Sequence, residues 1–311
     1  MKKLIGLTAA ALLFLGGCGS ATLEGENTDS GAVEEKESSA LVVGVSLSTL
    51  NNPFFISVKE GITDLAGDEG SEVKVLDAQD DTSKQSNDVD DLIQQGVDIL
   101  LINPVDSSAI TPAVEAANSA GIPVIAIDRS SDGGQVVTLV ASDNVEGGKM
   151  AAQYIEEISG SKAKVAELEG IPGASATRER GKGFNDYAKD NLDLVDQQTA
   201  NFDRAEGLTV MENMLQSNPE IEAIFAQNDE MALGAIEAIE AAGKTGDIQV
   251  VGFDGTEDGL AAIEAGTLSA TVAQQPTEMG KLAMQAAFDH FSGKKVEAKI
   301  ASPLELIKSD N

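Results

Sequence analysis

Tryptophan is absent from the 311-residue chain, and cysteine and histidine occur once each. A single cysteine forms no internal disulfide, and without a Cys/His cluster the usual structural zinc site is excluded. No metal or organic cofactor is expected. Basic residues are scarce: 21 Lys and Arg stand against 52 Asp and Glu, a formal net charge of −31. A surface that acidic repels phosphate backbones and anionic lipid, so nucleic acid is not an expected partner. No apolar run reaches the ~20 residues of a comfortable membrane span. Aromatics are only 4% of the chain, which makes the position of each Phe informative. What is present is length for two lobes, and 42% apolar residues to give each a core.

At the N-terminus, Lys2 and Lys3 precede an apolar stretch, residues 4–15, of signal-peptide length. It ends in Leu15-Gly16-Gly17-Cys18, which resembles the lipobox of bacterial lipoproteins. That resemblance implies removal of residues 1–17, acylation of Cys18, and a protein held at the outer face of the cytoplasmic membrane through its lipid alone. The alternative is an ordinary signal peptide with an incidental cysteine. Residues 18–39 are rich in Ser, Thr, Gly and Glu and read as a solvated acidic tether.

After residue 40 the pattern changes. Short β-branched runs at 41–48, 73–77, 97–102, 124–128 and 136–141 predict strands, and so do 165–168, 194–198, 223–226, 250–254 and 270–273. Helix-period segments lie between them: 87–95, 107–120, 144–158, 174–189, 203–216 and 229–242, with a late one at 281–291. Strand–helix alternation sustained this long predicts an α/β fold of two doubly wound parallel-sheet lobes. Such sheets bind ligands beyond the carboxyl ends of their strands.

Those strand ends carry an unusual set of side chains. Ser48-Thr49-Leu50-Asn51-Asn52-Pro53-Phe54-Phe55 follows the first strand, Asn103-Pro104 the third and Asp128-Arg129 the fourth. Arg180 opens a helix and Phe202 ends a loop. Asn228-Asp229 and Asp254-Gly255 follow the eighth and ninth strands, and Gln274 ends the last. Amide, carboxylate and guanidinium groups without a nucleophile–base pair suit a neutral polyol, whose hydroxyls both donate and accept. Phe faces stack on the C–H side of a sugar ring. Two Asp and two Arg nearly cancel, so the set can be buried without a large unpaired charge. Any one of these residues taken alone reads equally as a cap or turn residue. Asp229, Asn144 and Ser107 are assigned to capping.

The stretches STLNNPFF, LLINP, IDR, ASDNVEGGKMA, RERGKGF, FDRAEGL, FAQNDEMALGA and VVGFDGT occur in order between about residues 41 and 306. In them the chain resembles the D-ribose-binding family of bacterial ABC sugar importers, of the periplasmic-binding-protein type I class. The resemblance implies two lobes joined by three hinge crossovers and a pyranose sugar held between them, with Phe54, Phe55 and Phe202 clamping the ring. It also implies that Asn52, Asn103, Asp128, Arg129, Arg180, Asn228, Asp254 and Gln274 bind the hydroxyls. The lobes would comprise 40–142 plus 275–302 and 143–274 plus 303–311, with hinges near 141–143, 274–275 and 303. The implied partners of this monomer are D-ribose and an importer permease; a sugar-sensing subunit that signals to a membrane receptor, or a binder of a related monosaccharide, is the alternative.

Other features are bland. His290 lies in the late helix, far in sequence from every strand end, so no catalytic role is expected. Gly243-Lys244-Thr245 looks like a phosphate-binding loop, but the glycine such a loop requires is Ala238 here, and it follows a helix. The carboxylates of 77–91 fail calcium-loop spacing, with Thr82 where a glycine is required. Sugar-responsive repressors share the two-lobed fold but carry a DNA-binding helix-turn-helix, replaced here by the leader and acidic surface.

The net charge makes a first prediction. Self-repulsion is screened by salt, with a Debye length of about 10 Å at 0.1 M. The melting temperature should therefore rise from low to moderate sodium chloride, and a flat profile would count against a repulsive surface.

Overall fold

Strands buried on both faces require helices on both sides, and the aliphatic runs after residue 40 are of that kind. The computed structural model describes residues 35–308. The leader, Cys18 and the tether up to residue 34 lie outside the described residues, as do residues 309–311. One sheet is built from β1 (Val42–Leu47), β2 (Glu72–Asp77), β3 (Ile99–Ile102), β4 (Val124–Ile127) and β5 (Thr138–Ser142). The second is built from β6 (Lys164–Glu169), β7 (Asp193–Thr199), β8 (Ala223–Ala226), β9 (Gln249–Asp254) and β10 (Ala270–Ala273). Two late strands, β11 (Lys299–Ser302) and β12 (Glu305–Lys308), add one to each. The orders are β11-β5-β4-β3-β1-β2 and β12-β10-β9-β8-β6-β7. Both reverse next to their first strand, and such reversals open the crevices in which doubly wound sheets bind ligands.

Helices α1 (Pro53–Glu69) and α9 (Pro276–Phe291) cover one face of the first sheet, burying Val58, Ile62, Met279 and Phe288 against Val43, Val45 and Ile125. α2 (Thr82–Gln94) and α3 (Thr111–Ser119) cover the other. In the second lobe, α4 (Asn144–Ser159) and α5 (Ser175–Asn191) pack over the stacked rings of Phe184 and Phe225, 4.8 Å apart. α6 (Arg204–Ser217), α7 (Asp229–Ala241) and the short α8 (Glu257–Glu264) complete it. Each fully buried aliphatic or Phe side chain contributes about 1.5–3 kcal/mol, so both lobes have cores of their own. Among the described residues no helix is long and apolar enough to cross a membrane.

The structure departs from the sequence-based expectation in identifiable places. α2 begins at Thr82 rather than 87, because Asp81 accepts hydrogen bonds from Ser83 N and Lys84 N at 2.7 and 2.8 Å. α3 begins at Thr111 rather than 107, with Pro112 in its first turn, and Pro276 starts α9 before 281. α1, α8, β11 and β12 were not anticipated. β12 also pairs antiparallel with β10, in otherwise parallel sheets. β11 ends at the carboxyl edge of its sheet, and the short crossing at Pro303-Leu304 delivers the chain to the carboxyl edge of the other. The strand must then run back.

Three helix pairs approach so closely that only glycine fits. A Cβ at Gly61 of α1 would sit 2.0 Å from Thr277 O of α9, and one at Gly148 of α4 would sit 2.0 Å from Arg180 O. One at Gly234 of α7 would meet Arg204 O, also at 2.0 Å. Gly67, in the same helix as Gly61, has nothing within 4 Å. Two substitutions in one helix should therefore have opposite signs. Gly67→Ala should gain up to about 1 kcal/mol from helix propensity, whereas Gly61→Ala should lose about 1–3 kcal/mol to overpacking. Chemical denaturation measures both, and equal effects would refute the close-packing account.

Candidate functional site

The strand ends place the polar set. Asn52 closes the loop after β1, where its Oδ1 accepts from Phe54 N at 2.9 Å and Pro53 opens α1. This turns Phe54 and Phe55 edge to face, 5.1 Å apart. Asn103 follows β3, and Asp128 and Arg129 follow β4. Asp128 adopts φ 62°, Phe202 φ 63° and Asp254 φ 116°, so all three lie in the left-handed region that non-glycine residues rarely occupy. Strain of about 1–3 kcal/mol at each such position persists only where its surroundings enforce it, and here it aims the side chains inward.

Asn52, Phe54, Phe55, Asp128, Arg129, Arg180, Phe202, Asn228 and Asp254 line one narrow crevice between the lobes, together with Ala176. Arg129 belongs to the first lobe, yet its guanidinium lies 5.2 Å from the Phe55 ring and 5.2 Å from the Phe202 ring of the second. Arg180 lies 3.7 Å over Phe253 and 5.8 Å from Phe202. Desolvated cation–π contacts of this kind are worth up to ~2 kcal/mol each. Arg129 Nε pairs with Asp128 Oδ2, and Arg180 Nη1 with Asp254 Oδ1, both at 3.6 Å. All four residues are between 3% and 4% exposed, so their charges must compensate one another. Burial pushes Asp254 up to about 8 against the pull of Arg180, and raises Asp128 against Arg129 and Arg180. Burial also lowers Arg129, with Asp128 opposing.

Asn103 and Gln274 stand one layer behind the wall. Asn103 Nδ2 donates to Asp128 Oδ2 at 3.5 Å, and Gln274 Nε2 donates to Asp254 Oδ1 at 2.8 Å. Among the described residues, Asp128 Oδ1, Arg129 Nε and Gln274 Oε1 remain buried without a hydrogen-bond partner. Such groups cost about 1–3 kcal/mol each until something pairs with them. The arrangement offers acceptors, donors and ring faces at close range, and nothing that would attack a bond.

Three capping assignments need correction. Asn228, not Asp229, caps α7, accepting from Met231 N at 2.9 Å while its Nδ2 donates to Phe202 O. Asp229 is fully buried and accepts from Thr256 N (2.8 Å), Thr256 Oγ1 (3.1 Å) and Thr271 Oγ1 (2.7 Å), which pins the turn that presents Asp254. Asn144 is not the cap of α4, a role taken by Asp143; its Oδ1 accepts from Arg180 Nε at 2.9 Å. Ser107 does not cap α3. It joins the lobes: its N–H donates to Gly173 O at 3.0 Å and its Oγ accepts from Ser175 N at 3.1 Å. Sequence reasoning also missed Gln227, whose carbonyl accepts from Arg180 Nη1, and Glu167, a carboxylate inside a buried strand. The charge at 167 within an otherwise apolar run was the available signal. His290 sits at the end of α9, edge-on to Phe291 and remote from the crevice. Among the described residues no cluster of His, Cys, Asp and Glu has the arrangement of a metal site.

Residues 43–295 match the family described as periplasmic binding protein domain. The chain belongs to that family. Proteins of this family are exported binding proteins rather than enzymes. The ribose import binding protein RbsB of Bacillus subtilis (strain 168) is 62% identical over 264 residues, covering 85% of this chain and 86% of that protein. RbsB of Escherichia coli (strain K12) is 47% identical over 308 residues, 99% of this chain and 98% of the relative. Among solved structures, an ABC transporter solute binding protein from Bacillus halodurans C-125 with bound myo-inositol superposes with a TM-score of 0.82 at 34% identity, covering 91% of this chain and 97% of that one. A periplasmic solute binding protein from Actinobacillus succinogenes 130z with bound D-allose gives 0.81 at 30% identity, covering 87% and 98%.

In this periplasmic binding protein, burial raises Asp229 to about 6, Glu167 to about 7 and Asp254 to about 8. A carboxyl raised on folding favours the folded state while protonated and loses that contribution as pH climbs through its folded value. Asp186 and Glu156, lowered by hydrogen bonds, change only below this window. The protein should melt higher near about pH 5 than near about pH 9, and Glu167→Gln should flatten the slope near neutrality. A rising profile would contradict the burial. Asp229→Ala, which strands three donors, should cost more than about 2 kcal/mol rather than the ~1 kcal/mol of a lost cap.

Proposed function

We propose that this chain captures D-ribose between its lobes outside the cell and delivers it to the permease of an ABC importer. The observation that carries the reading is the pair of buried Arg–Asp couples, with Asp128 Oδ1 and Arg129 Nε lacking a hydrogen bond among the described residues, set among Phe54, Phe55 and Phe202. A neutral polyol supplies both donors and acceptors to such atoms and adds no charge to a cleft already balanced. Asn52, Asp128, Arg129, Arg180, Asn228 and Asp254 bind hydroxyls in this account, the three Phe side chains hold the ring, and Asn103 and Gln274 hold the carboxylates from behind. The names of the two RbsB relatives support ribose as the sugar.

In the same reading, residues 40–142 plus 275–302 and residues 143–274 plus 303–311 move as two bodies, hinged near 141–143, 274–275 and 303. Closure would then distinguish a loaded protein from an empty one at the permease. Acylation of Cys18 keeps the protein, a monomer in this account, at the outer face of the cytoplasmic membrane, since two acyl chains anchor stably where one is marginal. A related polyol is the second reading, favoured by the myo-inositol and D-allose in the solved relatives.

Calorimetry of ligand-stripped protein against pentoses and hexoses tests the assignment. Asp254→Ala and Arg180→Ala should each weaken ribose binding at least ~30-fold, because each leaves an opposite buried charge and hydroxyls unpaired. Phe202→Ala should cost less. Glucose or galactose binding as tightly as ribose would sink the assignment. For the anchor, protein made in a lipoprotein-competent bacterium should partition with membranes, and Cys18→Ser should become soluble; equal partitioning removes the lipid from the account.

A further inference from the structure

Behind the second lobe's half of the cleft lies a carboxylate with no cation beside it. Glu167, in the middle of β6, is fully buried. Its Oε1 accepts from Gln227 Nε2 at 2.7 Å, and its Oε2 accepts from Gln197 Nε2 at 2.6 Å and Asn185 Nδ2 at 3.2 Å. Gln227 has no freedom left. Its Oε1 accepts from Gly170 N at 3.1 Å, and its main-chain oxygen accepts from Arg180 Nη1 at 2.6 Å. Gly170 in turn carries Phe202, whose ring would lie 2.0 Å from a Cβ at that position.

We infer that Glu167 is a positioning residue for sugar binding: through the Gln227 amide it fixes both the Arg180 guanidinium and the Gly170 backbone on which the Phe202 ring rests. The chemistry of the acceptors explains why a carboxylate is needed. An ionised carboxylate only accepts, so all three neighbouring amides turn their NH2 groups towards it. A proton on Oε1 needs an acceptor, and a flipped Gln227 would supply it only by aiming its own NH2 at Gly170 N–H, donor facing donor beneath the ring and beside the arginine. A proton on Oε2 instead turns over the Gln197 and Asn185 amides and still weakens the hold on Gln227, because a neutral carboxyl oxygen is a poorer acceptor than a carboxylate. A glutamine at 167 loses the charge-assisted bond in the same way.

The charge state is therefore linked to the cleft. Around Glu167, β7 contributes the Gln197 amide, α5 contributes Asn185 and Gly181, and the end of β8 contributes Gln227; the charged group that acts on it is Glu169, on its own strand. Burial raises Glu167 to about 7, within the range where binding is easily measured. It lies wholly within the second lobe and away from the facing surface, so closure of the lobes leaves its burial unchanged. A sugar that uses Arg180 and Phe202 as set by Gln227 must favour the ionised form.

The inference rests on the ribose reading above, and the test separates the two. Carboxyl carbon NMR of the full chain, with the Glu167 signal assigned by its loss in Glu167→Gln, gives the titration with and without saturating D-ribose. Ribose should lower the Glu167 midpoint by about 0.5 pH unit or more, and by reciprocity ribose should bind about threefold more weakly when Glu167 is protonated. Glu167→Gln should bind ribose weakly and lack this component of the pH profile, whatever Asp128 and Asp254 contribute to both proteins. Ribose bound with an unmoved or raised Glu167 midpoint overturns the positioning role and leaves the ribose reading intact. If the wild type ignores ribose and takes another sugar, the ribose reading falls, and the same downward shift is then required with that sugar.

Discussion

Burying two arginines in the seam between the lobes is the constraint on which the rest of the site depends. A guanidinium is affordable there only with a carboxylate close by and an aromatic face beneath it. Arg129 has Asp128 and two phenylalanine rings, one from each lobe; Arg180 has Asp254 and Phe253. Those partners must then be held in turn. Left-handed backbone at Asp128, Phe202 and Asp254 aims three of the side chains, and Asn103 and Gln274 hold the two carboxylates. Asp229 pins the turn after β9, and Asn144 and Gln227 fix Arg180. The cleft is thus a polar network several residues deep, which is the condition for a buried polar site to hold one geometry.

The protein separates its charge. The surface carries the acidic excess, while the cleft wall sets each of its two buried Arg beside an Asp. A neutral ligand therefore meets directional hydrogen bonds rather than a strong field. On the proposed reading, selectivity among polyols would come from donors and acceptors that lack a hydrogen bond, which penalise a missing or inverted hydroxyl.

Much of this was legible in the sequence because the fold obeys simple periodicity. Alternating β-branched runs and helix-period segments predicted two doubly wound lobes, and the rule that ligands sit at strand ends pointed to the right loops, while the resemblance to the ribose-binding family picked out the individual wall residues, including Arg180 and Phe202, which no strand end supplies. What escaped detection depends on tertiary contact. Asp229 and Asn144 occupy the starts of helices, where capping is the default reading, and only the fold shows that their oxygens face Thr256 and Arg180. Ser107 joins the lobes through partners more than sixty residues away. The antiparallel run of β12 follows from where the chain crosses between sheets, which no local pattern encodes.

The central claim is that a neutral sugar seals these charges by drawing the lobes together. Asp128 Oδ1 and Arg129 Nε have no hydrogen-bond partner among the described residues, so on this proposal closure without a ligand would be penalised and a bound sugar would remove the penalty. Solution X-ray scattering of ligand-stripped protein, with and without saturating D-ribose, tests this most directly. The account predicts a smaller radius of gyration on adding ribose, reversed when the sugar is dialysed away. An identical radius with bound ribose would contradict it, because binding would then proceed without closure.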